Sequence, residues 1–194
     1  FAVEARTLRA GGSVSSMLAE VTQDSGPIAA GIATFGESRD AAIDFETTQP
    51  PEAPDPSAIE PMRFGLMPEF AQHFEYRFCI GQIPFSGADE SRLGGWLRPV
   101  EPTPLDARLA AALLDAYPPA IFARMETFRP VSTVQMTASF LQDYRSDVDL
   151  PHDAHYLVEK VCDASEDGYL EEQQRVWGPN GRLVAQGRQT MVII

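Results

Sequence analysis

Apolar and polar residues alternate along most of the chain, with the period of two that is typical of β-strands whose faces meet different surroundings. Short turns rich in Gly, Pro and Asp separate these stretches, which favours antiparallel neighbours. The alternation predicts three strands near the start of the chain and six after residue 70. Their ranges are 3–9, 14–23, 28–35, 74–80, 93–99, 132–141, 154–163, 169–177 and 182–194.

One stretch has a helical period instead. Pro104 opens PLDARLAAALLDAY, and Pro118-Pro119 end it because proline cannot continue a helix. One stripe of this helix carries Leu105, Leu109, Ala112, Leu113 and Ala116. Other faces are also apolar, so the helix is expected to be buried on more than one side. A buried helix followed by consecutive antiparallel strands indicates an α+β unit in which a sheet wraps a helix.

Prolines concentrate in TTQPPEAPDPSAIEP and mark the clearest boundary in the chain. Such a segment has few backbone donors and favours extended, solvated conformations, so it predicts a linker over residues 46–69. The linker separates a meander of three strands, residues 1–45, from a longer unit, residues 70–194.

The two parts share a spacing of strands and turns. A shift of 155 positions places Gly26 on Gly181 and Ile28 on Leu183. This spacing favours a repeat of one unit, complete in the second part and represented in the first by its last strands. The chain also opens on Phe1, in the middle of a strand pattern. We therefore expect the N-terminal part of the first unit to be missing from this sequence.

Charge and cysteine content narrow the class of partner. The 194 residues include 15 Lys+Arg against 28 Asp+Glu, a formal net charge of −13. Because nucleic-acid phosphates and anionic lipids bind basic faces, we expect no nucleic-acid partner and no membrane partner. No apolar run approaches the length that spans a bilayer. Cys79 and Cys162 are too few for a disulfide framework, which favours packed thiols in a reducing cytoplasm.

Several segments, taken in order, resemble one known family. They are AEVTQDSGPIAAGIATFG, GWLRP, PLDARLAAALLDAYPPAIF, STVQMTASFL and WGPNGRLVAQGRQ. Over essentially the whole chain they resemble the acyl-CoA thioesterase II family. The resemblance implies an α+β double hotdog fold, in which two fused units each wrap a curved antiparallel sheet around a long helix, with the first unit incomplete here. It also implies hydrolysis of acyl-CoA to free fatty acid and CoA, as in fatty acid metabolism, with no cofactor.

The resemblance implies three catalytic residues that position a water molecule: Asp115, Thr133 and Gln189. Gln189 lies on the more apolar face of its strand, where an amide is costly unless it is hydrogen-bonded. Asp115 lies at the negative end of the helix dipole, an unfavourable place for a carboxylate. The polar face of the strand that starts near Thr133 carries Thr133, Gln135, Thr137 and Ser139.

Each of the three residues also has an ordinary structural explanation. Gln189 could bond a backbone group, Asp115 could be solvated at a fraying helix end, and a β-branched Thr133 is common in strands. Their combination favours catalysis, with Asp115 removing a proton from the water that the other two hold.

Substrate binding has further candidates. The acyl chain is expected along the helix, in a gap near Ala111, Ala112, Ala185 and Gly187. The phosphates of CoA require basic groups despite the net charge, and those available are Arg124, Arg129, Arg145 and Lys160.

A cluster in SDVDLPHDAH consists of Asp147, Asp149, His152, Asp153 and His155. Its spacing matches no zinc or helical pattern, and Pro151 marks a loop, so we expect no metal site.

Two other functions stay open at this stage. A hotdog enoyl-thioester hydratase usually pairs a helix carboxylate with a histidine, and no histidine is near Asp115 in sequence. A non-catalytic acyl-thioester binding module is the second alternative. Exposed sheet edges predict a homo-oligomer in each case.

Overall fold

The computed structural model describes residues 1–40, 43–63, 65, 67–141 and 150–194. The chain divides into two compact units, Phe1–Phe45 and Glu46–Ile194. No helix among the described residues is long and apolar enough to cross a membrane.

The first unit is an antiparallel meander of three strands in the order β1-β2-β3. The strands are β1 (Ala2–Ala10), β2 (Val14–Gln23) and β3 (Gly26–Gly36). The turn between β2 and β3 uses Gly26 at φ 111°, a conformation that side chains rarely adopt. The three strands predicted from alternation are therefore confirmed.

The second unit is a six-stranded antiparallel sheet with a helix packed on one face, the α+β arrangement that the sequence predicts. The order across the sheet is β4-β5-β7-β8-β9-β6. The strands are β4 (Phe74–Gly81), β5 (Arg92–Pro99), β6 (Val131–Phe140), β7 (Tyr156–Glu166), β8 (Tyr169–Trp177) and β9 (Leu183–Ile193). The helices are α1 (Ala107–Ala116), α2 (Ile121–Arg124) and the 3-10 turns Pro56–Ala58 and Glu69–His73.

Helix α1 begins three residues later than the proline suggests, because Asp106 caps it. The Asp106 carboxylate accepts hydrogen bonds from the backbone N–H groups of Arg108 and Leu109, both at 2.9 Å. The core side of α1 carries Leu109, Ala110, Leu113, Leu114 and Ala116. The opposite side is exposed and presents Arg108, Ala112 and Asp115. The expectation that Ala112 is buried was therefore wrong. Ala112 and Asp115 are three residues apart and lie on the same exposed face of the helix.

The C-terminal end of α1 is tied to the sheet by two buried tyrosines. The Tyr76 hydroxyl donates to the carbonyl oxygen of Ala116 at 3.1 Å, and the Tyr117 hydroxyl donates to that of Trp96 at 3.0 Å. Gly95, at φ 147°, has no side chain to obstruct the Tyr117 hydroxyl. These bonds fix the helix end that carries Asp115.

The proline-rich segment packs against the sheet of the second unit, whereas the sequence suggests a solvated linker. Proline keeps its carbonyl oxygen, and side chains of the sheet donate to these acceptors. Arg77 donates to the carbonyl of Pro56 at 2.9 Å, and the Trp96 indole donates to that of Pro54 at 2.8 Å. Ala53 packs against a small core formed by Ile80, Leu157, Trp177 and Leu183.

The pairing of β1 with β2 repeats that of β7 with β8 at a shift of 155 positions, whereas β3 corresponds to β9 in its pairing at a shift of 156. The shift of 155 positions carries the pair Glu4↔Glu20 onto the pair Glu159↔Arg175. Irregularities in the pairing coincide as well. They lie at 7–9 and 21–22 in the first meander and at 162–164 and 176–177 in the second.

Candidate active site

Gln189 lies on the buried face of β9 and connects three elements. Its side chain is 2% exposed, and its strand neighbours on this face, Ala185 and Met191, are also buried. Its Nε2 group donates to Asp115 Oδ1 at 3.1 Å and also to Thr133 Oγ1. The expected apolar surroundings of Gln189 are confirmed, and its amide is satisfied by two side chains.

Asp115 approaches Gln189 from the last turn of α1. Its side chain is on the exposed row of the helix, while its neighbours Leu114 and Ala116 are buried. The carboxylate therefore combines a fixed backbone with access from outside, which a proton acceptor in a hydrolytic site requires.

Thr133 reaches this site because β6 contains a bulge. The pairing of β6 with β9 shifts between Thr133 and Gln135, and Val134 between them is 58% exposed. A bulge adds one residue to the strand and reverses the faces beyond it. Placing Thr133 on one face with Gln135 was therefore wrong: Thr133 lines the same cavity as Gln189, whereas Gln135 lies on the outer face.

Three further polar side chains are buried behind Gln189. Lys160, Glu172 and Gln174 are 1%, 0% and 1% exposed. Lys160 Nζ lies 3.1 Å from Glu172 Oε1, and Gln174 Nε2 donates to the same oxygen at 3.1 Å. Gln174 Nε2 also donates to Gln189 Oε1. Sequence reasoning missed Glu172 and Gln174, although alternation from Leu170 to Val176 places both on the core face of β8.

The three proposed catalytic side chains open onto one cavity of about 330 Å³. Asp115, Thr133, Lys160 and Gln189 provide its polar wall. The apolar wall includes Pro84, Phe85, Pro118, Pro119, Phe122 and Phe128. A mostly apolar cavity with a few convergent polar groups is the usual form of a small-molecule site.

The aromatic wall of the cavity is built around Phe85. The ring centroids of Phe85 and Phe122 are 5.1 Å apart, and both lie 6.0 Å from that of Phe128. Phe85 has φ 65°, an uncommon backbone conformation for a bulky residue, and its N–H donates to the Phe122 carbonyl at 2.6 Å. The surrounding contacts hold this ring against the cavity at the cost of local strain.

The expected gap for the acyl chain is not at this cavity. Gly187 faces Leu114 and Gln174, and a Cβ there would lie 3.6 Å and 3.3 Å from their side-chain atoms. Ala185 is fully buried, and Ala112 is exposed on the outer side of α1. The large space on this face of the sheet lies instead at the C-terminal end of α1.

The basic candidates for CoA binding differ in location. Arg124 and Arg129 are both exposed. Arg124 is the last residue of α2, and Arg129 lies between Phe128 and Pro130, which line the cavity. Lys160 is buried with Glu172 and is therefore not a surface group at an entrance. Arg145 lies outside the described residues.

The remaining nucleophile and metal candidates occupy other environments. Burial raises the pKa of the Cys162 thiol to about 11, and burial also raises the pKa of Cys79, which favours unreactive thiols. Asp147 and Asp149 lie outside the described residues, and within the described part no three metal-ligating side chains cluster. His155 instead contacts Glu75, with 3.3 Å between Nε2 and Oε1.

Solved structures with the same architecture are hotdog proteins. A conserved protein of unknown function with hot dog fold from Alicyclobacillus acidocaldarius superposes with a TM-score of 0.89 at 23% identity, covering 99% of this chain and 72% of that one. A putative thioesterase II from Thermobifida fusca YX gives 0.75 at 18% identity, with 99% and 71% covered. An acyl-CoA thioesterase II, TesB2, from Mycobacterium marinum gives 0.71 at 16% identity, with 99% and 73% covered.

These likenesses show that the chain has the hotdog fold. Residues 46–193 match the family model of the acyl-CoA thioesterase C-terminal domain. The chain therefore belongs to that family, which confirms the resemblance found in its sequence. A comparison with curated protein sequences finds no match.

Proposed function

We propose that the protein hydrolyses acyl-CoA thioesters to a free fatty acid and CoA with a water molecule held by Asp115, Thr133 and Gln189. The observation that carries this proposal is the double donation by the Gln189 amide, which joins Asp115 to Thr133 at the wall of an apolar cavity. Membership of the thioesterase family supports the reaction class.

In this proposal each side chain has a distinct task. Gln189 Nε2 holds Oδ1 of Asp115, so the Oδ2 atom is the oxygen that accepts a proton from water. Thr133 accepts from Gln189, which leaves its hydroxyl proton to bind the water or the thioester oxygen. The water oxygen attacks the thioester carbonyl, the carbon–sulfur bond breaks, and the proton taken by Asp115 passes to the leaving thiolate.

The fold supports a second proposal, a double hotdog. We infer that residues 1–45 contain the last three strands of one hotdog unit. Residues 70–194 form a second, complete hotdog unit. The coincident pairing irregularities at a shift of 155 positions support this repeat. Assembly into a homo-oligomer, a cytoplasmic location and a role in fatty acid metabolism stay predictions from sequence.

Thioester hydrolysis by the protein tests the proposal. CoA release from acyl-CoA substrates of increasing chain length is followed with a thiol reagent. Asp115→Asn keeps the shape of the side chain and removes the proton acceptor, so kcat should fall roughly 10²- to 10⁴-fold. Gln189→Ala should also lower kcat, because both partners lose their common donor. Asp167→Asn, the same change in the turn between β7 and β8, should leave kcat unchanged.

The same samples separate the two alternative functions. A hydratase would consume the absorbance of a conjugated enoyl thioester without releasing CoA. None of the chain's three histidines, all within the described residues, lines the cavity, which disfavours that reaction. A binding module would retain acyl-CoA tightly and release no thiol. If Asp115→Asn and Gln189→Ala both keep the wild-type turnover, the site assignment is wrong.

A further inference from the structure

We propose that Glu172 and Gln174 are positioning residues that set the orientation of the Gln189 amide. They lie behind the site, on the buried face of β8, and neither one lines the cavity. The catalytic consequence rests on the proposed function, whereas the orientation itself does not.

The direction of the hydrogen bonds is fixed by chemistry. A carboxylate can only accept, so the Gln174 atom that faces Glu172 Oε1 at 3.1 Å is the amide nitrogen. The second hydrogen of this nitrogen is donated to Gln189 Oε1. With its oxygen held on this side, Gln189 presents its nitrogen to Asp115 and Thr133.

The hydrogen bonds on the buried side of Gln189, which link it through Gln174 to Glu172, determine its orientation more strongly than those to Asp115 and Thr133. Asp115 and Thr133 are exposed, so water competes with Gln189 for their oxygens. Glu172 is 0% exposed and exchanges no partner with water. The orientation of the Gln189 amide is therefore imposed from the sheet side.

Both oxygens of Glu172 are held in turn. Oε1 lies 3.1 Å from Lys160 Nζ, and Oε2 accepts from the Ala120 N–H at 2.5 Å. Ala120 follows Pro118-Pro119 in the chain directly after α1, which carries Asp115. Glu172 therefore connects Lys160 of β7, the glutamines of β8 and β9, and the segment that follows α1.

The fold does not need these polar residues to form its strands. At a shift of 155 positions, the first meander carries Ala5, Met17 and Ala19 in place of Lys160, Glu172 and Gln174. Its first two strands have the same pairing as β7 and β8, with the irregularity at the equivalent residues. Since a buried ion pair adds little net stability, its presence in the second unit agrees with a role in the site.

Gln174→Met tests the role of the central amide, because it keeps the side-chain length and removes both donors. For the full chain we expect kcat to fall roughly tenfold, the equivalent of about one hydrogen bond, with KM within about twofold. Gln173→Met, the same change one residue away on the opposite face, should leave both constants unchanged. Gln174→Leu serves as the second variant if the methionine variant does not fold.

A double-mutant cycle separates positioning from general loosening of the structure. If Gln174 acts through Gln189, then Gln174→Met has no further effect on kcat when Gln189 is already alanine. A purely structural role would lower kcat by the same factor in both backgrounds and would overturn the proposal. Unchanged kcat in Gln174→Met would also overturn it while leaving the proposed hydrolysis intact.

Side-chain NMR tests the orientation without any turnover. The Nε2 protons of Gln189, assigned by their loss in Gln189→Ala, should exchange slowly with solvent in the wild type. Exchange should be at least roughly tenfold faster in Gln174→Met, because the Gln189 oxygen loses its donor and the amide can then rotate its nitrogen away from Asp115 and Thr133. Equal exchange in the two proteins would overturn the proposal, and this result is independent of whether the protein releases CoA.

Discussion

The buried ion pair of Lys160 and Glu172 gives a large and specific prediction. Lys160→Met keeps an unbranched side chain of similar length and removes the ammonium 3.1 Å from Glu172 Oε1. Glu172 is 0% exposed, so water cannot replace the lost partner. Removing one member of such a pair costs about 3–5 kcal/mol. Two hydrogen bonds remain, from Ala120 and Gln174, so we expect about 3 kcal/mol.

Urea unfolding at pH 7, followed by tryptophan fluorescence, measures this loss. Both tryptophans of the chain, Trp96 and Trp177, lie in the second unit and report on its unfolding. The corresponding decrease in Tm is about 6–12 °C for a unit of this size. A loss below about 1 kcal/mol would refute the reasoning, because that is the value of an exposed pair.

Two controls isolate the effect of burial. Arg92→Met breaks the neighbouring ion pair of Arg92 with Glu159. The Arg92 side chain is 39% exposed, so the change should lower the free energy of unfolding by less than about 1 kcal/mol. The double change of Lys160→Met with Glu172→Leu leaves no unpaired charge and should recover most of the lost stability.

Three further predictions concern pH, substrate binding and the helix anchor. Arg98 holds the pKa of the Glu75 carboxyl at about 2 instead of 4.5, so stability that is complete above pH 4.5 should decline by up to about 3 kcal/mol as the pH falls to 2, measured by urea unfolding. If acyl-CoA is the substrate, as proposed, Arg129→Ala should raise its KM several-fold with kcat unchanged, because an exposed arginine between the cavity-lining Phe128 and Pro130 would attract its phosphates. Gly95→Ala places a Cβ 2.0 Å from the Arg77 carbonyl oxygen and should cost more than about 2 kcal/mol of unfolding free energy.

Each of these predictions has a matched control. Glu75→Gln should reduce the loss of stability between pH 4.5 and 2, and an equal loss in the variant would assign it to other carboxyls such as Asp55 and Asp106, whose pKa values are also lowered. A short acyl thioester without phosphates should have the same KM with Arg129→Ala as with the wild type, and an equal increase would exclude phosphate binding there. Gly65→Ala, in the same unit and with nothing within 4 Å of the new Cβ, should cost under about 1 kcal/mol.

The strands were predictable because alternation and turn residues act locally. The range predicted for β2 agrees with its observed bounds, Val14–Gln23, and that for β8 agrees with Tyr169–Trp177. The start of α1 was less predictable. The sequence suggested a start at Pro104, but Asp106 caps the helix, which therefore begins at Ala107. The packing of the proline-rich segment could not be predicted, because it depends on Arg77 and Trp96 of the sheet and not on a pattern within the segment itself.

The three residues proposed as catalytic could be selected from the sequence, but their geometry could not be predicted. Family resemblance selected Asp115, Thr133 and Gln189, and the structure places all three in one hydrogen-bonded group. The bulge in β6 that turns Thr133 inward depends on pairing with β9, which alternation within one strand does not report. The run EEQQR in β8 obscured which of its polar residues are buried.

A single turnover in ¹⁸O-labelled water tests the central claim most directly. Excess protein is mixed with acyl-CoA, and the fatty acid and the peptide that contains Asp115 are analysed by mass spectrometry. Direct attack by the held water predicts CoA release, one ¹⁸O atom in the fatty acid and none in Asp115. An unlabelled fatty acid with ¹⁸O in Asp115 would show that the carboxylate attacks the thioester itself, and no CoA release would contradict the proposed hydrolysis altogether.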